Sequence, residues 1–269
     1  MSTAHQEPCR RLALLNDLAC AYSHRIGRDE TGSPVSVHLV GGGGEPEYDA
    51  EVFAAFRSEV IRQASAAGRE EPIVAIIAVG QASAHAEELA ASLGEDILAR
   101  CTVLEPGDTV ALTAIAAVDG IVVGGGVTPD YLAALLPGAG EIRRQVAAGV
   151  PYLGFSAGAM IAAERALIGG WRIGGVEVAP EPVAEGLDEI TFAQGLGLLD
   201  VTVDVHAAQS GSLSRLIAAT EAGLIDGGLG IDENTVLVVG EGALGVFGAG
   251  SVWRISQADG GVLVSTIGA

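Results

Sequence analysis

Five short apolar runs separated by alanine-rich segments limit what this chain can fold into more than any other feature. "VSVHLV" (35–40), "PIVAIIAV" (72–79), "CTVLEP" (101–106), "GIVVGG" (120–125) and "VPYLGF" (150–155) are the strand candidates. They are apolar continuously rather than alternately, as strands buried on both faces of a parallel sheet are. Helical patterns at 47–67, 82–93, 107–117, 128–136, 139–148 and 157–168 alternate with them. That alternation predicts right-handed βαβ crossovers and helices on both faces.

From residue 171 the texture changes. "WRIGGVEV", "VTVDVH", "GLGIDENTVLVVGEGALGVFGAGSVWRIS" and "VLVSTI" read as strands and hairpins, with one helix at 212–222. The expected architecture is therefore α/β, a mostly parallel sheet with helices on both faces and an antiparallel C-terminal region. Residues 1–33 are polar and irregular, with a short helical pattern over 9–21, and "RDETGSP" reads as a linker. The chain divides into an N-terminal extension, 1–33, and a single α/β domain, 34–269.

Composition narrows the function classes. The formal charge is −20, from 34 acidic against 14 basic residues, and every basic residue is arginine. Such a surface repels nucleic acid and anionic membranes, so neither is an expected partner. Cys9, Cys20 and Cys101 are widely spaced, odd in number and form no CxxC pair. They read as reduced thiols of a cytoplasmic protein, with no zinc site and no disulfide framework. The N-terminus lacks a basic start followed by an apolar stretch, so no secretory signal is expected. Residues 145–163 carry no charge, but Pro151, three glycines and Ser156 make them a buried strand–turn–helix rather than a membrane span.

Two glycine clusters follow strand candidates. In "HLVGGGGEPEYDAEVF" the third-glycine spacing of a dinucleotide fingerprint is missing, and Glu45 and Glu47 would repel a pyrophosphate. It reads as a structural turn, and no cofactor is implied. In "VDGIVVGGGVTPDYLAALL" the glycines lie at the carboxyl end of a strand, where open α/β sheets place their ligands. Gly124–Gly126 could turn backbone N–H groups toward an oxyanion. Thr128 would cap the next helix, with Pro129 at its first position.

"GFSAG" matches G-x-S-x-G, a strand-to-helix elbow in which larger neighbours of the serine would clash. The Ala157 N–H, at the start of the next helix, could serve a developing oxyanion. A small residue at a tight turn explains the same five residues, and the pattern alone does not choose between nucleophile and turn for Ser156. Of the five histidines, His5 and His24 lie in the irregular N-terminus, His38 inside a strand and His85 near the start of a polar helix. His206, at a strand end in "LLDVTVDVHAAQSGSLSRL", is left as the best candidate base. The orienting acid stays open at this level. Asp204 shares a face with His206 if the strand is regular. Glu233 lies at another strand end, and Asp226 and Asp232 are weaker alternatives.

Four ordered segments, "GGGVTPDYL", "VPYLGFSAGAMI", "GLGLLDVTVDVH" and "GLGIDENTVLVV", resemble the serine peptidase family of aspartyl dipeptidase (peptidase E) and cyanophycinase. The likeness is closer to cyanophycinase and runs from about residue 35 to 256. It implies a class I glutamine amidotransferase-like, flavodoxin-like fold. It also implies Ser156 as nucleophile, His206 as general base, Glu233 as acid, and an oxyanion hole of Gly125, Gly126 and Ala157. No metal or organic cofactor is implied, and a homodimer is compatible with the family.

Where cyanophycinases show a D-Q-H-F segment followed by several arginines, this chain has Val205, Ala207, Ser210 and Ser212. Asp204 and Arg215 persist as substrate-binding candidates, and Thr128 stands where cyanophycinases have a glutamine. Each charge-assisted hydrogen bond lost with an arginine clamp removes ~1.5–3 kcal/mol. The resulting expectation is a serine peptidase or isopeptidase acting on an aspartyl or β-aspartyl amide of a small peptide. A non-catalytic amino-acid or peptide binding module, and an amidotransferase-like or esterase activity, are the alternatives.

Overall fold

In the computed structural model, which describes residues 36–80, 83–240 and 244–268, the five apolar runs become β1 (Val37–Val40), β2 (Ile73–Val79), β3 (Leu98–Leu104), β4 (Gly120–Val123) and β5 (Tyr152–Phe155). They pair in parallel in the order β1–β5–β4–β2–β3. Along β2, Val74, Ile76 and Ala78 enter one apolar cluster while Ala75, Ile77 and Val79 enter another. That double burial is why the run is apolar without interruption. The edge strand β3 is half exposed and carries Arg100, a charge that discourages pairing with a further strand.

Helices α1 (Pro46–Val52), α2 (Ala54–Ala66) and α3 (Ser83–Leu93) cover one face through Phe53, Phe56, Val60, Ala86, Leu89 and Leu93. Helices α4 (Thr128–Leu135), α5 (Ala139–Ala147) and α6 (Ala157–Ile161) cover the other. After α6 come β6 (Arg165–Gly169), a hairpin of β7 (Arg172–Ile173) and β8 (Val176–Glu177), and β9 (Thr191–Gln194), which pairs antiparallel with β6.

The C-terminal region contributes to two sheets rather than one. Strands β10 (Thr202–Val205), β11 (Gly227–Ile231), β14 (Ser251–Ala258) and β15 (Gly261–Gly268) form a second sheet in that order. Helix α7 (Leu213–Glu221) packs on it through Leu216 and Ala219. Strands β12 (Thr235–Val239) and β13 (Gly245–Gly248) instead extend the first sheet beyond β1. Within the second sheet β10 and β11 run parallel, with Val205 opposite Ile231. The carboxyl ends of β1 and β5 in one sheet and of β10 and β11 in the other thus meet, joined by Ser156 N–H on Val40 O, His206 N–H on Gly41 O and Ala207 N–H on Ile231 O.

Three sequence expectations need correction. The pattern at 47–67 is two helices broken at Phe53 (φ −95°, ψ −9°). The pattern at 107–117 holds only a 3₁₀ turn, Leu112–Ala114. Gly107 there is left-handed, and Val110 N–H leaves the segment to bond Ala134 O. The helix expected over 157–168 stops at Ile161, because Leu196 and Leu198 N–H groups take the carbonyls of Ile161 and Ala162. The chain then continues as β6. The 1–33 extension with its helical pattern, and Cys9 and Cys20, lie outside the described residues. Cys101 is a free, exposed thiol. No helix among the described residues is long and apolar enough to cross a membrane.

Backbone packs closely on backbone at the β5–α6 turn. A Cβ on Gly158 would stand 2.2 Å from Val123 O, and one on Gly154 2.4 Å from the Gly158 carbonyl. Neither obstacle is a movable side chain. Gly158→Ala is expected to destabilise by about 3 kcal/mol, the upper end of ordinary overpacking costs. That corresponds to a thermal midpoint lower by roughly 6–12 °C. Gly140→Ala, on an open stretch of α5, should leave the midpoint unchanged or raise it. Differential scanning calorimetry of both variants is the check.

Candidate active site

Ser156 stands between β5 and α6 with φ 50° and ψ −108°, a region that L-residues rarely occupy. Such strain costs on the order of 1–3 kcal/mol and persists only where the surroundings enforce it. Here Ser156 N–H is held by Val40 O at 2.9 Å, and Gly154 and Gly158 on either side pack against backbone with no room for a Cβ. His206, one residue beyond β10, is left-handed as well (φ 53°), and its N–H bonds Gly41 O at 2.9 Å. Asn234, just before β12, is left-handed too (φ 53°), with its N–H on Gly42 O at 2.8 Å. Three consecutive carbonyls at the end of β1 thus seat three bends from three different strand connections.

Those bends align the side chains. Ser156 Oγ lies 2.9 Å from His206 Nε2, and His206 Nδ1 lies 2.7 Å from Glu233 Oε1. A carboxylate only accepts, so the imidazole proton sits on Nδ1 and Nε2 is free to accept from the serine hydroxyl. The four-glycine cluster makes room for this line. A Cβ on Gly42 would sit 2.1 Å from His206 Cε1, and one on Gly43 2.2 Å from Asn234 Oδ1. Asn234 Oδ1 in turn accepts Gly44 N–H at 3.0 Å, and Gln209 Oε1 accepts Glu233 N–H at 3.0 Å. Gly42, Asn234 and Gln209 were not singled out from the sequence. The run of four glycines after a strand is the available signal, and in the sequence it reads as a turn.

The three expected oxyanion donors divide. Gly125 N–H is already committed to His85 Nε2 at 3.1 Å. Gly126 N–H has no partner among the described residues, and Ala157 N–H, first in its helix, has no carbonyl of that helix to reach. Gly125 belongs to the loop wall instead, where a Cβ would stand 2.9 Å from Ser156 Cβ. His85, in the first turn of α3, is brought to the site although the sequence placed it only on a polar helix. Burial lowers its pKa from the ordinary imidazole value, against a smaller upward pull from Glu88.

The substrate-binding candidates fare differently from the Ser–His–Glu line. Asp204 and Arg215 are 0% and 2% exposed and pair bidentately, at 2.7 Å through Nε and 2.7 Å through Nη2. Arg215 Nη1 also donates to Gly170 O and Val183 O. With no exposed face, the pair is an internal tie between β10, α7 and the 170–183 segment, not a surface for substrate. Asp204 also fails to share a face with the imidazole, because the left-handed turn at His206 breaks the strand alternation. Asp232 accepts from Ala208 N–H, Ser251 N–H and Trp253 Nε1 and so pins loops, while Asp226 is exposed.

Thr128 is the first helical residue of α4, not its cap, which is Val127. Its N–H and hydroxyl both donate to the Glu185 carboxylate, each at 3.2 Å. Glu185, left-handed at φ 56°, is a further group the sequence did not reveal. Burial raises its pKa, against the Thr128 hydrogen bonds and the charges of Arg215 and His206. No group of three or more His, Cys, Asp or Glu side chains among the described residues could hold a metal ion.

The model of peptidase family S51 matches residues 103–246, which include Ser156, His206 and Glu233. Cyanophycinases from Synechococcus elongatus and Thermosynechococcus vestitus are each 37% identical over 122 residues, 44% of this chain and 35% of theirs. The match thus spans about a third of the length of these curated relatives. Among solved structures, a peptidase from an acI-B1 actinobacterium superposes with a TM-score of 0.56 at 20% identity, covering 87% of this chain and 97% of its own. A Peptidase E protein from Listeria monocytogenes EGD-e gives 0.50 at 17% identity, covering 81% and 100%. At those identities the likeness is one of fold.

The buried pair yields a discriminating measurement. Arg215→Ala leaves Asp204 charged and unpaired in the interior, which should cost about 3–5 kcal/mol in chemical denaturation. A substrate clamp would instead raise KM with little loss of stability.

Proposed function

Because the chain belongs to peptidase family S51, we propose that it is a serine hydrolase cleaving a small peptide or isopeptide amide through Ser156, His206 and Glu233. The observation that carries this reading is the continuous hydrogen-bonded line from Ser156 Oγ to His206 Nε2 at 2.9 Å and from Nδ1 to Glu233 Oε1 at 2.7 Å. A bystander serine at a tight turn has no need of an oriented imidazole.

The chemistry follows from the tautomer. His206 Nε2 takes the hydroxyl proton as Ser156 Oγ attacks the scissile carbonyl carbon, and the carbonyl π electrons move onto oxygen. Gly126 and Ala157 N–H groups receive that oxyanion, a role worth ~3–4 kcal/mol per donor where measured. Glu233 holds the imidazole orientation and stabilises the imidazolium. Collapse of the tetrahedral intermediate expels the amine, which takes the proton from Nε2. Water then attacks the acyl-enzyme, with His206 again as base.

The aspartyl or β-aspartyl preference is supported by the curated cyanophycinases among the relatives. With Arg215 bound to Asp204, an acidic substrate group is held without that guanidinium. Turnover of a β-aspartyl-arginine dipeptide is therefore expected at high KM, the loss being ~1.5–3 kcal/mol for each missing charge-assisted bond.

A fluorophosphonate should label the protein stoichiometrically by intact mass, and Ser156→Ala should abolish the adduct. No labelling of folded wild type would sink the reading. Glu233→Gln should lower kcat by roughly 10³–10⁴-fold, as loss of the orienting acid does elsewhere. A panel of α- and β-aspartyl dipeptides against simple esters settles the substrate class; turnover of esters alone would exclude a peptidase.

A further inference from the structure

The loop that would hold the oxyanion is three glycines long, Gly124–Gly126, and glycine peptides have no side chains to fix their orientation. Each peptide plane is nonetheless gripped from outside. The Gly124–Gly125 peptide accepts Gly158 N–H on its carbonyl at 3.1 Å and donates its N–H to His85 Nε2 at 3.1 Å. The Gly125–Gly126 peptide accepts the Tyr131 hydroxyl on its carbonyl at 2.9 Å. All described peptide bonds are trans, which puts C=O and N–H on opposite sides of the plane. Tyr131 therefore turns the Gly126 N–H away from itself and keeps it free of the protein's own acceptors.

We propose that His85 and Tyr131 are positioning residues that set the two glycine peptides of the oxyanion loop, and that catalysis requires His85 to be neutral. The proposal rests on the serine-hydrolase reading given above. Its chemical content is a tautomer. To accept from Gly125 N–H, His85 Nε2 must be bare, so the ring proton sits on Nδ1, which faces Glu88 Oε2 at 3.7 Å. Protonation puts an N–H on Nε2 opposite the Gly125 N–H. Two donors then confront each other, and the loop loses the hydrogen bond that fixes its first peptide.

The surroundings favour the neutral form. Besides Glu88 on its own helix, His85 meets the Phe155 ring from β5 at a centroid distance of 5.0 Å and the glycine backbone. The Tyr131 phenol lies across the loop, its ionisation pushed up by burial. Burial lowers the His85 pKa and outweighs the pull of Glu88. The sign follows: the acceptor is intact at neutral pH and is lost as pH falls through this depressed value. The second proton thus acts on the loop, separately from protonation of the base His206.

The experiment pairs kinetics with an observable that needs no turnover. His85→Ala should lower kcat and the phosphonylation rate of Ser156 by about 10–100-fold, short of deleting an oxyanion donor outright, with KM within about twofold. His85→Gln, whose amide oxygen accepts Gly125 N–H at any pH, should recover most of that loss. At acid pH its log kcat/KM should fall with a limiting slope of one, where wild type reaches a slope of two. Tyr131→Phe should lower kcat without changing the number of protons in the profile. Equal kinetics for the Ala and Gln variants, or a slope of two retained in His85→Gln, would overturn the proposal. In parallel, the Gly125 amide resonance of wild type should titrate with the His85 ring and stop doing so in His85→Gln. If Ser156 takes no phosphonate at any pH, the serine-hydrolase reading falls; the Gly125 resonance still decides the loop claim, and a pH-independent one refutes it.

Discussion

The site hangs on three consecutive carbonyls at the end of β1. Val40, Gly41 and Gly42 accept the N–H groups of Ser156, His206 and Asn234, and each of those three residues is left-handed. The first arrives from β5 of the same sheet, the second from β10 of the other sheet, and the third leads into β12. A left-handed L-residue costs about 1–2 kcal/mol, close to what one or two net hydrogen bonds return. The carbonyl ladder therefore offsets the strain where it arises and fixes how the two sheets meet. Without it, the serine and its imidazole belong to separate sheets with no reason to stand 2.9 Å apart.

Much of this was legible in the sequence because burial leaves a direct trace. The double-sided burial of β2 is written as "PIVAIIAV", and the Gly154 and Gly158 contacts are written as G-x-S-x-G. What was not legible depends on a few backbone angles. Asp204 and His206 share a face only on a regular strand, and a φ of 53° at His206 removes that premise. Family resemblance, not local pattern, points to Glu233 over Asp204; in the structure Glu233 Oε1 lies 2.7 Å from His206 Nδ1, and Asp204 pairs with Arg215. The helix pattern over 157–168 has good local propensity, yet backbone bonds from Leu196 and Leu198 cut it at Ile161. Such partners lie some 35 residues away and leave no mark in the local periodicity.

Charge is handled in the same economical way inside this acidic chain. The arginine that sequence comparison would hand to the substrate is spent on Asp204, and the carboxylate of Glu185 occupies the N–H and hydroxyl of Thr128. Removing Asp204 and Arg215 together would trade the pair for packing, which is often neutral, whereas removing one leaves a buried charge. The tie that Arg215 makes between β10, α7 and the 170–183 segment gives both residues a structural task of their own.

The two glycine loops that flank Ser156 perform opposite tasks, and their chemistry shows why both need glycine. Gly42 and Gly43 are required because something large must come close: an imidazole in one case and an asparagine amide in the other. Gly125 also yields space, to Ser156 itself, but the loop it belongs to must additionally present a backbone donor. Space alone needs no free donor, so the first loop can be held through its carbonyls and can give up its Gly44 N–H to Asn234 Oδ1. A donor must be aimed, and a glycine peptide aims nothing unless its neighbours do. That is why the second loop has polar side chains on both of its peptides, and why one of them, His85, adds a proton that the elbow motif by itself would never suggest.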